Sequence, residues 1–379
     1  MSISESESVH RRAIIVDGHC DTPYRLLRHN VHLDQHDTEA QADLRSLRES
    51  GITASFFAAY VPPFYAGRGA AAFAHRLIDV IHEEAARLPD VLTLCKDSEG
   101  IRAAKRDGKL ALMIGVEGGH AIEDSLDILR DLCARGARYL TLTHVNTNNW
   151  CDSSADTARH GGLTDFGREV VRTMNDLGMI VDVSHISDDA FRHVIETTRV
   201  PVVATHSSAR ALCRHPRNMT DDMLRALAQN GGVCMVNFFS AFISDDVAQV
   251  IMASQKRPKK NGDPTGGTEE LPDDRTDWDT YLEWFQSLGC PVATLDQVCD
   301  HIFHVAKVAG IDHVGIGSDF DGVPALPEGL LTASGLPALT ARLMERGMSA
   351  DDVEKVLGGN FMRVFAQVEQ GRREVGVRR

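Results

Sequence analysis

The sequence predicts a (β/α)8 barrel, an α/β fold in which eight parallel strands alternate with helices. Three observations predict it: eight short apolar runs, helical patterns between most of them, and His, Asp and Glu residues where the runs end. The alternation alone leaves a doubly wound parallel sheet open as an alternative. The 379 residues are two to three times the usual ~150 per domain, but a single barrel can use them all.

The eight apolar runs are short and mostly rich in β-branched residues, as buried strands are. They are Ala13–Val16, Ile52–Tyr60, Leu110–Val116, Tyr139–Thr143, Met179–Val183, Pro201–Thr205, Gly232–Phe238 and His313–Ile316. Helices are predicted over Ala70–Leu88, Ser125–Arg135, Asp165–Leu177, Asp188–Thr198, Asp221–Gln229, Leu295–Ala309, Pro337–Arg346 and Ala350–Gln370. Strand and helix therefore alternate along most of the chain.

One catalytic domain is predicted over residues 13–370, with a flexible N-terminus at 1–12 and a C-terminal tail at 371–379. A long insertion, at about 240–292, separates the seventh run from the eighth. It contains the polar stretch QKRPKKNGDPTGGTEELPDDRTD, which exceeds the ~12–15 residues of an ordinary loop. Four apolar residues then follow at the spacing of one helix face: Trp278, Tyr281, Leu282 and Phe285. A lid, an oligomer contact and an ordered surface insertion all remain open as interpretations.

Composition excludes several classes of function. Lys+Arg 40 against Asp+Glu 54 gives a formal charge of −14, which argues against a nucleic-acid partner. No stretch approaches the ~18–20 consecutive apolar residues of a membrane span, and the N-terminus lacks the apolar region of a signal peptide. The 8 cysteines form no CxxC pair, so they do not indicate a disulfide framework. We therefore expect a reduced, cytoplasmic protein that binds neither nucleic acid nor membrane.

Potential metal ligands lie where the predicted strands end. His19 and Asp21 are two residues apart, so on a strand both side chains point to the same face, while Cys20 points the other way. Four further candidates end other runs: Glu117, His185, His206 and Asp319. The C-terminal ends of barrel strands converge, so we expect these side chains to meet. Mixed imidazole and carboxylate ligands suit zinc, with manganese or ferrous iron as possible substitutes.

The number of candidate ligands indicates two metal ions. Six protein ligands exceed what one tetrahedral zinc with an open position requires. Two ions ~3.5–4 Å apart, bridged by a carboxylate and a hydroxide, account for all six. Glu117 is the natural bridge because it has two oxygens and ends a central strand. No lysine ends any of the runs, which excludes a carbamylated lysine in that role. We therefore expect two Zn²⁺ per chain.

Several motifs together resemble the renal (membrane) dipeptidase family. The matching segments are Asp17-Gly18-His19-Cys20-Asp21, Val116-Glu117-Gly118, Leu142-Thr143-His144-Val145-Asn146-Thr147, Asp182-Val183-Ser184-His185, Ser207-Ser208-Ala209-Arg210, Arg217-Asn218, Met235-Val236-Asn237-Phe238, Gly315-Ile316-Gly317-Ser318-Asp319-Phe320-Asp321-Gly322 and Gly359-Asn360. They run from about residue 13 to about residue 366 in the family's order. The resemblance implies a barrel of the metal-dependent hydrolase type and a zinc-dependent peptidase that cleaves dipeptides.

The resemblance also implies how the metal ligands divide. One zinc is held by His19, Asp21, Glu117 and Asp319, and the second by Glu117, His185 and His206. A bridging hydroxide attacks the peptide bond, and Asp319 accepts its proton and passes it to the leaving amine. His144 matches the family's histidine at the scissile carbonyl oxygen. Arg217 matches the arginine that binds the C-terminal carboxylate of the substrate. Glu117, Asp319 and His144 are thus the implied catalytic residues, and a homodimer is plausible by the same resemblance.

Two other functions remain as alternatives. The same barrel and metals suit an amidase or a β-lactam or other cyclic-amide hydrolase, and the insertion at 240–292, absent from shorter family members, leaves the substrate range open. A metal-binding scaffold without catalysis is the second alternative, although such proteins usually lack one of the ligands or the electrophile.

Some other polar residues near the motifs have less direct interpretations. Asp17 is expected to orient a ligand and Asp321 to hydrogen-bond the adjacent loop. His120, His301 and His304 are expected to be ordinary helical residues. Cys151 and Asp152 either line the substrate pocket or pack within their loop.

Overall fold

Parallel strands close into a barrel in the computed structural model, which describes residues 4–35, 37, 39–254 and 274–372, with backbone only for 274–280. The strands are β1 (Val16–Cys20), β2 (Ala54–Tyr60), β3 (Leu92–Leu94), β4 (Leu110–Glu117), β5 (Ala137–Thr141), β6 (Ile180–Asp182), β7 (Val203–Ala204), β8 (Val233–Val236) and β9 (Val314–Ile316). Pairing of β1 with β9 and of β2 with β4 completes the circle. The predicted (β/α)8 barrel is confirmed.

The strands differ from the predicted runs in two instructive places. The sequence prediction misses β3, a three-residue strand that pairs only with the first part of β4 and lies outside the ring of eight. The first strand begins at Val16 instead of Ala13, so Asp17 and His19 lie within it. An apolar run is a poor guide here because the upper part of the barrel interior is polar, and the strand continues into it.

The helices that cover the barrel are α1 (Glu5–Arg12), α2 (Thr22–His29), α3 (Leu44–Glu49), α4 (Ala70–Arg87), α5 (Ser98–Asp107), α6 (Leu126–Arg135), α7 (Asp165–Leu177), α8 (Asp188–Thr197), α9 (Asp221–Asn230), α10 (Ser240–Ile243), α11 (Asp245–Ala253), α12 (Asp274–Ser287), α13 (Leu295–Ala309), α14 (Leu336–Glu345), α15 (Ala350–Glu354) and α16 (Asn360–Gln370). Many begin at a Ser, Thr or Asp side chain that accepts a backbone N–H, such as Thr164 before α7 and Thr294 before α13. These capping signals explain why the predicted bounds of α7 and α13 agree with the structure.

The predicted helix Ala350–Gln370 is interrupted by a π-helical turn, Lys355–Gly359. At Gly358 the backbone lies so close to the start of β1 that an added Cβ would meet the carbonyl oxygen of Ile14 at 2.2 Å. Only glycine permits this approach, and the helix is displaced to allow it. Helix α16 can then place Phe361 under the barrel.

Residues 5–12, predicted as a flexible N-terminus, form α1 instead. His10 is buried, with Nδ1 2.7 Å from Thr340 Oγ1 and Nε2 2.8 Å from the carbonyl oxygen of Ser50. These contacts fix the helix to the barrel wall. The C-terminal tail from 373 onward and the polar part of the insertion at 255–273 lie outside the described residues.

The lower interior of the barrel is closed by aromatic rings. Phe56 of β2 packs against Phe361 of α16, with ring centroids 5.4 Å apart, and against Tyr139 of β5 at 5.1 Å. All three side chains are buried. This layer fills the barrel from below, so the functional site occupies the C-terminal end above Tyr139. Among the described helices, none has the length and apolar character needed to span a bilayer.

His301 connects the insertion to the loop after β7. Its Nδ1 accepts the backbone N–H of Ala209 at 3.0 Å, and its Nε2 lies 2.9 Å from the carbonyl oxygen of Ile243 in α10. The side chain is buried, and burial lowers its pKa to about 4. His301 is therefore a structural residue, as the sequence predicts.

We predict that His301 makes the protein less stable as the pH is lowered from ~6.5 towards ~4. Because its folded pKa lies below its unfolded value, the neutral ring contributes fully above pH ~6.5, and this contribution is lost as pH falls towards ~4. The difference in free energy of unfolding between wild type and His301→Gln should shrink by about 3 kcal/mol over that range. Urea unfolding of chelator-treated protein measures it. His304→Gln, one turn along α13, is the control, and a pH-independent difference for His301→Gln contradicts the prediction.

Candidate metal centre

Glu117, the last residue of β4, lies at the centre of the candidate site. Its Oε1 is 3.0 Å from His185 Nε2 and 3.3 Å from His206 Nε2, while its Oε2 is 3.6 Å from His19 Nε2. The two carboxylate oxygens thus face different imidazoles. This is the arrangement of a carboxylate that can join two metal positions, and Glu117 is buried among them.

The remaining carboxylates lie on the side of His19. His19 Nε2 is 3.2 Å from Asp21 Oδ2, and the ligand atoms of His19, Asp21 and Asp319 all lie within 4.8 Å of one another. Asp21 Oδ1 is buried and has no hydrogen-bond partner among the described residues. A buried carboxylate oxygen without a donor is costly unless a cation binds it. The barrel therefore brings together all six residues that the sequence predicts as ligands.

The electrostatics of the cluster also fit a cation. Burial raises the pKa of Asp319 to about 6, and burial likewise raises the pKa values of Asp21 and Glu117. In contrast, burial lowers the pKa values of His185 and His206 well below the ordinary range, so both imidazoles are neutral with a lone pair to donate. Neutral imidazoles beside crowded carboxylates form a donor set of the kind that divalent zinc binds.

The backbone is held in an unusual conformation at two of these residues. His185 has φ 69° and Asp319 has φ 65°, in the left-handed region that residues other than glycine seldom adopt. Such conformations cluster at functional sites, where they aim side chains. At Gly322, an added Cβ would lie 2.0 Å from Asp21 Oδ2 and 2.6 Å from Asp319 Oδ1. Glycine there leaves space for the two carboxylates to approach each other.

Buried residues for which the sequence predicts no role support these side chains from below. Thr205 Oγ1 lies 2.8 Å from His206 Nδ1 and donates to Asp182 Oδ2 at 2.8 Å. Asn237 donates its side-chain amide to Asp319 Oδ2 at 2.7 Å. Asp182 is the one acidic residue in the apolar run Met179–Val183, and that is the signal by which the sequence could have revealed it.

Arg217 and His144 lie beside the cluster. Arg217 is buried, donating to Ser207 Oγ at 3.2 Å and to the carbonyl oxygen of His206 at 3.0 Å. Its Nε is buried without a partner among the described residues, and burial lowers its pKa to about 10. The His144 ring is centred 4.5 Å from that of His185. The ligand atoms of Glu117, His144 and His185 also lie within 4.8 Å of one another, so geometry alone admits His144 as a ligand.

Asp17 and Asp321 organise the loop that carries Asp319. Asp17 accepts from the backbone N–H and the hydroxyl of Ser318, both at 2.7 Å, which fixes the residue before Asp319. Asp321 accepts from Thr22 Oγ1 at 2.6 Å and from the backbone N–H of Gln41 at 2.8 Å. Asp321 therefore hydrogen-bonds the loop as the sequence predicts, whereas Asp17 contacts the residue before Asp319 and not the side chain of a candidate ligand.

Other candidate residues are structural. Asp152 accepts backbone N–H groups of Arg159 and Gly162, each at 2.8 Å, and so shapes its own loop. Cys151 is buried in the same loop. His120 lies in the short 3-10 helix Gly119–Ile122, with Nε2 3.3 Å from the carbonyl oxygen of Pro62. Cys20 Sγ lies 2.8 Å from Thr22 Oγ1 and away from the ligands, and all 8 cysteines are free.

The chain is similar over nearly its whole length to proteins of known structure. The chain is similar to the probable dipeptidase PvdM from Pseudomonas aeruginosa, at 27% identity and a TM-score of 0.80, covering 97% of this chain and 98% of that one. It is similar to the metallopeptidase dipeptidase AC of family M19, at 26% identity and a TM-score of 0.76, covering 94% and 98%. A metallopeptidase from Rhodobacter sphaeroides, liganded with a phosphinate mimic of L-Ala-D-Ala, shares the fold at 24% identity, 94% and 99% coverage and a TM-score of 0.76.

The family profile described as Membrane dipeptidase (Peptidase family M19) matches residues 3–378, nearly the whole chain. The barrel, the clustered imidazoles and carboxylates and the solved relatives all agree with that match. The chain therefore belongs to the membrane dipeptidase family, peptidase family M19, and is a metallo-dipeptidase.

Proposed function

We propose that this chain is a binuclear zinc dipeptidase that hydrolyses the peptide bond of free dipeptides. The observation that carries the proposal is the position of Glu117, whose two oxygens face separate imidazoles within one buried cluster. His19, Asp21, Glu117 and Asp319 would hold one zinc ion, and Glu117, His185 and His206 would hold the other. When bound, two zinc ions polarise the scissile carbonyl and lower the pKa of a water so that hydroxide is available at neutral pH.

Asp319 transfers the proton and His144 stabilises the carbonyl oxygen in the proposed reaction. Asp319 takes the proton of the attacking water and delivers it to the leaving amine. His144 donates a hydrogen bond to the carbonyl oxygen as negative charge develops there. A donor so placed stabilises the transition state more than the bound substrate.

Arg217 binds the C-terminal carboxylate of the substrate. Its guanidinium is held by Ser207 and by the carbonyl oxygen of His206, so it cannot swing away from the cluster. A planar guanidinium fits a carboxylate through two parallel hydrogen bonds. Because Arg217 is anchored beside the cluster, it would bind a carboxylate one residue beyond the scissile bond. It therefore selects substrates with a single residue after that bond, as a dipeptide has.

The proposal is tested by metal content and by a substrate panel. Zinc-loaded enzyme should contain two metal ions per chain and cleave L-Xaa–L-Xaa or L-Xaa–D-Xaa dipeptides, L-Ala-D-Ala among them, and a chelator should abolish the activity. Mass spectrometry of the metals and amine release measure these outcomes. Fewer than two ions after full loading would remove the bridging role of Glu117. Two ions with cleavage of cyclic or blocked amides but not of dipeptides would instead establish an amidase.

Replacing Arg217 should weaken dipeptide binding. We expect Arg217→Ala to lower kcat/KM for a dipeptide roughly 10²-fold, mainly through KM, because two charge-assisted hydrogen bonds are lost. The same variant should hydrolyse the corresponding dipeptide amide, which lacks the carboxylate, about as well as wild type does. Arg214→Ala, which removes a surface guanidinium paired with Asp245, is the matched control. Equal losses for dipeptide and dipeptide amide would contradict the assignment.

Replacing His144 should slow the chemical step. We expect His144→Ala to lower kcat roughly 10²–10³-fold, as for the loss of one oxyanion donor, while KM changes little. Metal analysis must accompany the kinetics, since His144 also lies within reach of Glu117 and His185. Retention of two ions with a reduced kcat supports a role on the substrate. Loss of one ion would show that His144 is a ligand.

A further inference from the structure

One polar side chain in the barrel interior has no role in the proposed chemistry. Tyr139 of β5 is completely buried, and its hydroxyl oxygen lies 2.7 Å from Nδ1 of His19. The two rings are stacked with centroids 6.2 Å apart. The hydroxyl is thus directed at the nitrogen of His19 that points away from the metal ligands.

The surrounding residues hold this ring in one place. Gly115 of β4 faces it so closely that an added Cβ would lie 2.0 Å from the Tyr139 Cζ atom. Phe56 packs on the ring from below, at 5.1 Å between centroids. A residue with any side chain at 115 would displace the ring and move its hydroxyl from His19. The barrel therefore leaves room for one orientation of the Tyr139 hydroxyl.

The hydroxyl can set the tautomer of His19. Nε2 of His19 faces Asp21 Oδ2 at 3.2 Å and Glu117 Oε2 at 3.6 Å, so this is the nitrogen on the metal side. A ligating nitrogen must carry a free lone pair, which places the proton of a neutral imidazole on Nδ1. The group beside Nδ1 must then accept a hydrogen bond, and the Tyr139 oxygen is within reach to do so.

We propose that Tyr139 is a positioning residue for the metal centre, which holds His19 as the Nδ1–H tautomer with Nε2 directed at the metal. The inference rests on the proposed metal role of His19. Ligating histidines are commonly oriented in this way by a carboxylate or a backbone carbonyl. Here the partner is a neutral hydroxyl, in a cluster that already contains the carboxylates of Asp21, Glu117 and Asp319. It orients the ring without adding a fourth negative charge.

His206 offers an internal comparison. Its Nδ1 also meets a hydroxyl, that of Thr205, at 2.8 Å. That hydroxyl donates its proton to Asp182 at 2.8 Å, so the support of His206 ends in a carboxylate. Both histidines therefore have a hydroxyl partner at Nδ1. The partner of His206 is hydrogen-bonded to a carboxylate, whereas the partner of His19 lies in an aromatic layer.

The test compares two variants that each remove one hydroxyl at 2.7 Å from a buried imidazole. Tyr139→Phe removes the hydroxyl at His19, and Thr340→Val removes the one at His10, where α1 contacts α14. Zinc affinity is measured by competition with a chromophoric chelator. We expect Tyr139→Phe to bind at least one of the two ions roughly 10–100-fold more weakly, with Thr340→Val unchanged from wild type. Wild-type affinity for both ions in folded Tyr139→Phe would overturn the proposal.

A measurement on the unmodified protein keeps the test decisive if Tyr139→Phe does not fold. In zinc-loaded enzyme labelled with ¹⁵N-histidine, the Nδ1 proton of His19 should be shifted downfield and protected from exchange, as expected for a hydrogen bond to the Tyr139 oxygen. A freely exchanging Nδ1 proton without that shift would overturn the proposal, because Tyr139 would then not accept it. If wild type binds fewer than two ions, the proposed binuclear function fails. If wild type binds two and Tyr139→Phe is unaffected, Tyr139 alone is wrongly assigned.

Discussion

The structure of this site depends on the free-energy cost of burying three carboxylates close together. Asp21, Glu117 and Asp319 come together where water is largely excluded, and burial raises the pKa of each. Such crowding is unfavourable unless a cation compensates it. The unpartnered oxygen of Asp21 and the neutral imidazoles indicate how that compensation is made. The strained φ angles at Asp319 and His185 are tolerated because the surrounding fold fixes them.

The barrel makes this arrangement possible because its interior is apolar at the lower end and polar at the upper end. Below, Phe56, Tyr139 and Phe361 form an apolar layer that closes the barrel from the side of α16. Above, the strands end in the proposed ligands and in the hydroxyl and carboxylate groups that support them. Tyr139 belongs to both layers, since its ring packs below and its hydroxyl reaches His19. The position of the site thus follows from how far aromatic packing fills the barrel.

Much of this could be predicted from the sequence because strand ends converge in a parallel barrel. The spacing of His19 and Asp21 and the ligands that end other runs were sufficient to identify the cluster. The supporting residues were harder to predict, because Tyr139 and Thr205 are ordinary strand formers. The role of Tyr139 depends on His19, which is more than 100 residues away. The role of Thr205 depends on the tautomer of its neighbour His206. Helix α1 was missed because its charged sequence conceals a single buried face around His10.

Substrate range and metal chemistry are separable in this fold. The proposed metal ligands lie at strand ends, whereas the environment of Arg217 includes the insertion. Phe242 of α10 lies with its ring centre 5.2 Å from the guanidinium carbon. Phe239 packs on Phe242 at 4.9 Å and on Phe285 of α12 at 6.0 Å, so three aromatic rings connect α12 to Arg217. Sequence changes in the insertion can therefore reach Arg217 without touching a metal ligand.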